Sequence, residues 1–236
     1  MSSLQRDGKT RWKPSYLRRQ GHMTKAQKRY FREFWPTYGV DLPYESRLNP
    51  THIFQQDQPL ILEIGFGQGE SLLHRAQLEP EHNFLAVEVH KPAIASVLKQ
   101  VDDLKLSNIR LVRKDALLLL ADHLVQSNLK EIWILFPEPW HDPKEHHRRI
   151  LRPFTLELLH PHLIDGTQLY FATDVQEYAQ AAFQQLCNQA GWQHTQSIGD
   201  FSRRPDWRQV SKYERKGLTA GRSVFDISFT FQTSTG

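Results

Sequence analysis

Three glycines follow directly on a short apolar run, and their spacing suits the binding of a nucleotide-like ligand. The run Leu60–Ile64 reads as a buried parallel strand, and Gly65, Gly67 and Gly69 require a tight turn before a helix begins. Glycines at such a turn let a ligand approach the backbone closely, and the unpaired amides of the helix start point towards it. A plain chain reversal is the alternative interpretation.

Acidic residues stand at the ends of three successive predicted strands. Glu63 lies in the first strand, Glu88 ends the second, and Asp115 follows the third. Glu88 comes 19 residues after Gly69, close to the spacing at which an acid reaches ribose hydroxyls in nucleotide-binding α/β folds. A single acid there is more often a helix cap or a solvated charge, but three around one glycine-rich turn favour a shared role in binding a cofactor.

The glycine spacing differs from that of a dinucleotide-binding loop, in which the third glycine comes three residues after the second. Here Gly67 and Gly69 are two residues apart. With Glu63 in the strand, the motif resembles the first motif of S-adenosylmethionine-dependent methyltransferases, whose ligand has no phosphate. The resemblance implies that Glu88 binds the adenosine ribose, that Asp115 accepts from the adenine amino group, and that Glu63 lies near the sulfonium and amino-acid end.

A proline-bounded loop follows the fourth predicted strand. Its sequence is FPEPW at residues 136–140, with Glu138 between the prolines. Beside the first strand the loop would face the methyl group, and its prolines, aromatic residue and carboxylate resemble loops that hold a planar nitrogen nucleophile. A structural proline turn is the alternative.

Histidines near this loop do not predict a metal site. His141 and the pair at 146–147 include adjacent residues, which do not converge easily on one ion, and no cysteine joins them. The neighbours Lys144, Arg148 and Arg149 would repel a cation. We therefore expect no metal and consider phosphate contact by the basic residues better motivated, with a solvated surface helix as the alternative.

The hydrophobic pattern predicts an open α/β sheet. Thr24 and Gln27 form a capping box for a helix over residues 25–35 that Pro36 ends, and residues 37–59 look irregular because prolines recur there. Strands and helices then alternate, which is typical of a parallel sheet with ligands beyond the carboxyl ends of its strands. The predicted strands cover residues 60–64, 84–89, 109–112, 131–136, 168–172, 192–197 and 224–231. The predicted helices cover residues 71–78, 92–104, 116–125 and 154–163 and a long segment between Asp174 and Gly191.

The last part of the chain has a different pattern. Apolar and polar residues alternate in the last two predicted strands, as in edge or antiparallel strands, and a charged connection over residues 199–222 joins them. A loop of that length usually signals function. We expect an α/β, Rossmann-like class I S-adenosylmethionine-dependent methyltransferase fold, with a mostly parallel seven-stranded sheet and a late antiparallel strand. Residues 1–36 would form a basic N-terminal arm and helix, and residues 37–236 a single methyltransferase domain.

Positive charge is concentrated at the N-terminus. The chain has 236 residues and a net charge of +4, but residues 1–32 hold ten Lys and Arg against one acid, Asp7. Basic arms of this kind commonly bind a nucleic acid backbone, and a solvated tail is the alternative. Aromatic residues interleave with the charges, which suits contact with bases or packing. They are Trp12, Tyr16, Tyr30, Phe31, Phe34 and Trp35.

The sequence indicates a cytoplasmic protein. No apolar run approaches the roughly 20 residues that span a bilayer, and the basic N-terminus lacks a following hydrophobic segment. The single cysteine, Cys187, excludes an internal disulfide and suits a helix face. The sequence does not distinguish a monomer from a homodimer.

Ordered motifs along nearly the whole chain resemble the bacterial tRNA (guanine-N7)-methyltransferases. They are RRQGHMTKAQ, LEIGFGQG, VEVH, the DA pair at 115–116, FPEPWH with RRI, ATD with YA, and SKYERKG. The resemblance implies methyl transfer from S-adenosyl-L-methionine to N7 of a guanosine in the tRNA variable loop, position 46. It implies a catalytic and cofactor-contacting role for Glu138 and cofactor roles for Glu63, Glu88, Asp115 and the three glycines. The implied substrate-binding residues are Asp142, Lys144, Arg148, Asp174, Ser211, Lys212, Tyr213 and Glu214. The arm, together with Arg148, Arg149 and Lys212, is expected to hold the RNA backbone.

Two positions depart from the family pattern. The family usually has aspartate where this chain has Glu138 and lysine where it has Asp142, and Lys144 is the nearby residue that could compensate for the second change. Two alternatives stay open: a paralogue that methylates another RNA or a small molecule, and a tRNA-binding protein with impaired catalysis. The basic arm and the SKYE segment argue against a small molecule.

Overall fold

The structure is a computed structural model that describes residues 5–6, 9–10, 15–16, 21–54, 56–195, 201–219 and 221–233, without the side chains of residues 5, 6, 9, 10, 212, 213 and 216. The strands in these ranges are β1 (Gln5–Arg6), β2 (Lys9–Thr10), β3 (Gly39–Val40), β4 (Leu60–Ile64), β5 (Asn83–Glu88), β6 (Ile109–Arg113), β7 (Leu129–Leu135), β8 (Leu163–Thr173), β9 (Trp192–His194) and β10 (Phe225–Phe231). The α-helices are α1 (Lys25–Tyr38), α2 (Pro50–Phe54), α3 (Glu70–Leu78), α4 (Lys91–Asp103), α5 (Ala116–Leu118), α6 (Pro153–Leu159), α7 (Gln176–Cys187) and α8 (Lys212–Thr219). A π-helical turn, Leu119–His123, follows α5, and 3-10 helices cover Pro143–Arg148 and His160–His162.

One sheet organises the described chain. Its strand order is β3-β6-β5-β4-β7-β8-β10-β9; strands β3 to β8 pair in parallel, and β10 is antiparallel to β8 and β9. The predicted fold, mostly parallel with a late antiparallel strand, is confirmed. The sheet has one strand more than predicted, the two-residue edge strand β3.

Strand β4 lies at the centre of the fold. All five of its residues are buried, as expected for a parallel strand covered on both faces. Leu62 and Ile64 pack into a cluster with α6 and α7, whereas Ile61 packs into a second cluster with α3 and α4. Strand β5 lies on one side of β4 and β7 on the other, so the order of winding reverses here, and such a switch point is where α/β sheets bind ligands.

Helix α1 extends further than the sequence predicts. The capping box is present, because Gln27 N–H donates to Thr24 Oγ1 at 3.1 Å and Thr24 N–H donates to Gln27 Oε1 at 3.0 Å. Pro36 does not end the helix, which continues to Tyr38, so that prediction is wrong. A proline in the last turn removes a single backbone hydrogen bond, while Tyr38 becomes buried and donates to Asp102 Oδ1 at 3.2 Å.

Two other segments are more ordered than expected. Residues 37–59 contain β3 and α2, and the predicted loop over 199–222 contains α8 and a bridge between Ser202 and Asp226. The predicted helix over 116–125 is instead three α-helical residues followed by the π-helical turn. Among the described residues, no helix is both long and apolar enough to cross a lipid bilayer.

Candidate active site

The carboxyl ends of the central parallel strands meet at one edge of the sheet, where most predicted site residues lie. Glu63 on β4, Glu88 at the end of β5 and Asp115 after β6 belong to three adjacent strands. The loop with Glu138 follows β7, on the other side of β4, and Asp174 follows β8. The structure therefore places the three acids on one side of the switch point and the proline loop on the other.

The glycine turn after β4 opens onto space at this edge. Gly65, Gly67 and Gly69 have φ angles of +79°, +52° and +74°, a region that residues with a Cβ rarely adopt. A Cβ on Gly65 or Gly67 would have no atom within 4 Å, so these two glycines are required by the backbone conformation and leave room for a ligand. Gly69 then precedes α3, whose first residue is Glu70.

Backbone amides hold the carboxylate of Glu88. Val89 N–H and His90 N–H donate to Oε1 at 2.7 and 2.9 Å, and Gly67 N–H donates to Oε2 at 3.2 Å. The last bond ties the glycine turn to the end of β5. These three bonds hold the Glu88 carboxylate in one orientation beside the glycine turn.

Glu63 is buried without a complete set of partners. Its side chain is 4% exposed, and Oε2 has no hydrogen-bond partner. Burial, followed by the charges of Glu70 and Glu88, raises the pKa of Glu63 to about 8. Leaving a buried carboxylate oxygen without a partner is costly, and a donor carried by a ligand would remove that cost.

Asp115 combines a structural contact with a place at the same edge. It caps α5 by accepting Leu117 N–H on Oδ1 at 2.8 Å, and burial raises its pKa, opposed by this bond and by Arg152. The three acids and the open glycine turn fit a cofactor that carries an amino group, ribose hydroxyls and an adenine amino group, because each of these supplies hydrogen-bond donors.

The loop after β7 has a strained backbone. Phe136 and Trp140 have φ angles of +51° and +49°, and a residue with a Cβ costs on the order of 1–3 kcal/mol in this region. Phe136 N–H donates to Ala172 O of β8 at 2.7 Å. Half-buried Glu138 lies midway between the two strained residues.

Arg149 anchors this loop to α7. It is 5% exposed, and its Nε donates to Pro139 O at 2.9 Å while its Nη1 donates to Glu177 Oε1 at 2.9 Å. The contact with Arg149 lowers the pKa of Glu177. The expectation that Arg149 holds RNA phosphate is therefore wrong, because its guanidinium is buried and used within the fold.

The arm reaches the same loop. Arg148 lies over the ring of buried Trp140 at 3.5 Å, and its Nη2 donates to Tyr16 O at 3.2 Å. Trp140 Nε1 donates to Ser15 O at 3.3 Å. The described residues 15–16 of the arm thus contact the end of the loop that carries Glu138.

Asp142 has a structural contact that the sequence analysis missed. It precedes the 3-10 helix Pro143–Arg148, and its Oδ1 accepts Lys144 N–H at 2.9 Å. Aspartate followed by proline is a common way to begin a helical turn. Both Asp142 and Lys144 are exposed, and contact with RNA stays a prediction for each.

Helix α8 brings the SKYE segment to the end of β8. Arg222 Nε donates to Asp174 Oδ2 at 2.8 Å, and a Cβ on Gly217 would lie 3.3 Å from the same oxygen. Ser211 Oγ accepts Glu214 N–H at 3.1 Å and so caps the helix. The side chains of Lys212 and Tyr213 lie outside the described part of the structure, so their predicted roles stay predictions.

The structure buries Glu214 in an ion cluster that the sequence analysis missed. Glu214 is 2% exposed, and both of its oxygens accept hydrogen bonds from Arg208, which also binds Asp226. One signal was present in the sequence: Asp226 is an acid within an apolar strand pattern, and a buried acid requires a partner. Contact between Glu214 and substrate stays a prediction.

Comparison with known proteins shows strong similarity along the chain. A family model described as a putative methyltransferase matches residues 57–227. The tRNA (guanine-N(7)-)-methyltransferase of Aliivibrio fischeri is 35% identical over 215 residues, which cover 91% of this chain and 90% of that protein. The protein of the same name from Cupriavidus metallidurans is 38% identical over 217 residues, covering 91% of this chain and 82% of that protein.

Solved structures share the fold at low sequence identity. An rRNA methylase from Streptococcus thermophilus matches with a TM-score of 0.51 and 14% identity over 79% of this chain and 98% of that one. A 16S rRNA (adenine(1408)-N(1))-methyltransferase from Catenulisporales acidiphilia, solved with its cosubstrate SAM, matches with a TM-score of 0.54 and 14% identity, covering 80% and 94%. These similarities establish the fold of the chain.

Proposed function

The chain belongs to the family of tRNA (guanine-N(7)-)-methyltransferases, and from that premise we propose how its site holds the cofactor and the base. The protein is an S-adenosyl-L-methionine-dependent enzyme that methylates N7 of guanosine in tRNA. We propose that the target is the guanosine at position 46 in the variable loop, which rests on the resemblance of its motifs to the bacterial family. On the strength of this substrate we also propose a cytoplasmic location.

The cofactor is proposed to bind at the acids beside the glycine turn. Glu63 would accept from its amino group, because the buried Oε2 has no partner, and Glu88 from its ribose hydroxyls. Asp115 would accept from the adenine amino group. When bound, S-adenosyl-L-methionine supplies a methyl group attached to a positively charged sulfur.

Glu138 is proposed to hold the guanine base and to contact the cofactor. Guanine N7 carries an in-plane lone pair and no proton, so the site needs no general base there, and positioning supplies much of the rate. Methylation places positive charge on the purine, which a nearby carboxylate stabilises while it accepts from the N–H groups of the base. Reaching a base within folded tRNA requires local unstacking, as in base flipping.

The observation that supports this proposal is that Glu63 on β4 and Glu138 after β7 belong to adjacent strands, between which the order of winding reverses. Asp174 and Ser211 lie at the same edge, beyond β8, where α8 meets the end of the sheet. We propose that these residues contact the substrate, together with Asp142, Lys144, Arg148, Lys212 and Tyr213. Buried Glu214, whose two oxygens bind Arg208, would act on the substrate indirectly, by holding α8 in place.

The choice of position 46 has a direct test. Unmodified tRNA and a matched transcript with adenosine at position 46 would be methylated with labelled cofactor under the same conditions. We expect label in the first RNA and at least a ~10-fold lower yield in the second, because adenine presents a different hydrogen-bonding edge to Glu138. Equal yields would place the target elsewhere in the tRNA.

The exposed face of α1 is proposed as a surface for the RNA backbone. Its residues Lys25, Lys28, Arg29 and Arg32 recur at the spacing of one helix face, all are exposed, and in the described part of the chain none forms an ion pair. The helix start lies beside the first turn of α4, because Gln27 Nε2 donates to Pro92 O at 3.2 Å, and Tyr38 at the end of α1 contacts Asp102 at the end of α4. Helix α1 therefore runs alongside α4, away from the end of β5 that carries Glu88. We propose residues 1–36 as an RNA-binding arm and residues 37–236 as the methyltransferase domain.

Changing all four basic residues of α1 to glutamine should weaken tRNA binding in a salt-dependent way. Each lost phosphate contact lowers the slope of log K against log salt concentration by about 0.7–0.9, so we expect a slope smaller by roughly 3. Glutamine is a good helix former, so α1 should remain folded and the cofactor dissociation constant should stay unchanged. Titrations of labelled tRNA at several salt concentrations would measure both slopes. The matched control is Lys130→Gln, at the opposite edge of the sheet, and an unchanged slope in the quadruple variant would remove this surface from the proposal.

A further inference from the structure

A buried arginine joins three parts of the chain near the active-site edge. Arg208 is 1% exposed and makes four hydrogen bonds to two carboxylates. Its Nε and Nη2 donate to Asp226 Oδ1 and Oδ2 at 2.8 and 2.9 Å, and its Nη1 and Nη2 donate to Glu214 Oε2 and Oε1 at 2.7 and 3.2 Å. Both pairs use the forked geometry that arginine provides and lysine does not.

The same guanidinium touches the loop after β7. Its central carbon lies 5.3 Å from the ring centroid of Phe136, the strained residue that begins the FPEPW loop. The contact occurs at the level where the strands end, because Leu135, Ala172 and Asp226 are aligned across β7, β8 and β10. Arg208 therefore lies against the start of the loop that carries Glu138.

The residues on either side of Arg208 contact β7 and the helix that follows the glycine turn. Trp207 stacks on Trp133 of β7 with ring centroids 4.2 Å apart, and Gln209 N–H donates to Ser71 Oγ at 3.2 Å. Ser71 lies in the first turn of α3, directly after the glycine turn. The segment 207–209 thus contacts α3 and β7, while Arg208 itself binds α8 through Glu214.

We propose that Arg208 is a positioning residue that holds α8 and the Glu138 loop in a single relative geometry. The SKYE segment on α8 and the loop after β7 approach the substrate from different strands, and a buried cation bonded to one and packed on the other couples them. This inference rests on the proposed function, because it assigns Arg208 a part in placing the guanine against the cofactor. A purely structural role would affect only how much protein folds.

Loss of the Arg208 hydrogen bonds should affect the rate of methylation and leave cofactor binding unchanged. A misplacement of about 1 Å between reacting groups lowers a rate by up to ~10²-fold, whereas the cofactor acids on β4, β5 and β6 do not touch Arg208. Loss of the bidentate hydrogen bonds of Arg208 should therefore lower kcat for tRNA methylation without weakening cofactor binding. Lysine keeps the positive charge but cannot bind both carboxylates in the bidentate way, so it should not rescue the rate.

The test compares Arg208→Lys and Phe136→Leu, singly and together, in the full chain. For each variant, titration with S-adenosylhomocysteine gives the fraction of competent protein, and single-turnover methylation of tRNA gives the rate per competent site. We expect a ~10- to 10²-fold lower rate for Arg208→Lys, a cofactor dissociation constant within about twofold of the wild type, and non-additive effects in the double variant. Arg110→Lys, a partly buried arginine at the start of β6, serves as the matched control and should leave the rate per site unchanged.

Three results would overturn the inference: an unchanged rate per competent site in Arg208→Lys, additive effects in the double variant, or an equal loss in Arg110→Lys. If Arg208→Lys does not fold, the rate per competent site of Phe136→Leu alone tests the inference. This substitution leaves the ion cluster intact and removes only the contact between Arg208 and the Phe136 ring. Failure of the proposed function is distinct, since then the wild type itself would not methylate tRNA.

Discussion

Glu138→Gln is expected to lower the single-turnover rate of tRNA methylation by ~10²–10³-fold, the range observed when one preorganised electrostatic contact is removed from an active site. Glutamine keeps the length and much of the hydrogen bonding of the side chain but removes its charge, which stabilises the positive charge that develops on the purine. Because the loop is held by Phe136, Arg149 and Trp140, the substitution should leave the fold intact.

Glu138→Asp is the matched control, since it keeps the charge and shortens the side chain by one methylene group. We expect its rate to lie within ~10-fold of the wild type, because a carboxylate one methylene shorter keeps most of the electrostatic contact. Rapid-quench measurements with saturating cofactor and tRNA would compare the three proteins. A Glu138→Gln rate equal to that of the wild type would refute the catalytic assignment.

Glu63→Gln is expected to weaken cofactor binding and, at the same time, to stabilise the unliganded protein. The pKa of Glu63 is about 8 in the fold because burial penalises its charge, whereas an unfolded glutamate ionises near pH 4.3. The unfolded chain therefore releases a proton that the folded chain retains, and stability declines as pH rises from about 4.5 to 8. Glutamine cannot ionise, so the variant lacks this decline.

The size of this effect is set by two opposing costs. Because the unfolded chain ionises and the folded chain does not, the wild type loses about 5 kcal/mol of stability across this pH range, while the buried amide of glutamine costs the variant ~1–3 kcal/mol. We expect a net gain of about 2–4 kcal/mol at pH 8, which corresponds to a Tm higher by roughly 4–16 °C for a chain of this length. The difference should shrink towards pH 5, and the cofactor dissociation constant should rise by at least ~10-fold, as for a lost contact to a charged group.

Glu88→Gln is the control for this prediction. Its carboxylate already accepts three backbone N–H groups, so removing the charge should weaken cofactor binding without stabilising the protein. Thermal unfolding from pH 5 to pH 8.5 and calorimetric titration with S-adenosylhomocysteine measure both quantities. A Tm difference between Glu63→Gln and wild type that does not depend on pH would show that Glu63 is not a strained buried acid.

The arrangement of the cofactor half of the site follows from local sequence signals. Apolar runs of strand length, glycines after the first of them and acids at successive strand ends specify where Glu63, Glu88 and Asp115 lie, since parallel strands joined by helices have their carboxyl ends at one edge. The turn at Gly65 and Gly67 was predictable for the same reason, because few other residues adopt its backbone angles.

The contacts that hold the substrate half could not be predicted in this way. Arg149 looked like a phosphate ligand within a basic cluster, and only the packing of α7 against the loop reveals that Glu177 binds it. Arg208 and Asp226 are 18 residues apart and lie on different elements, so no periodic pattern links them. The prediction that Pro36 ends α1 was wrong because a proline disrupts the interior of a helix more than its last turn.

Methyl transfer by the purified protein from labelled S-adenosyl-L-methionine to unmodified tRNA tests the account most directly, with the product mapped by chain cleavage at 7-methylguanosine. A matched RNA with 7-deazaguanosine in place of guanosine lacks the attacking nitrogen and serves as the control. We expect one methyl group per tRNA, on N7 of a single guanosine, and no label in the control RNA. Tight tRNA binding without transfer, or label on an atom other than N7, would contradict it.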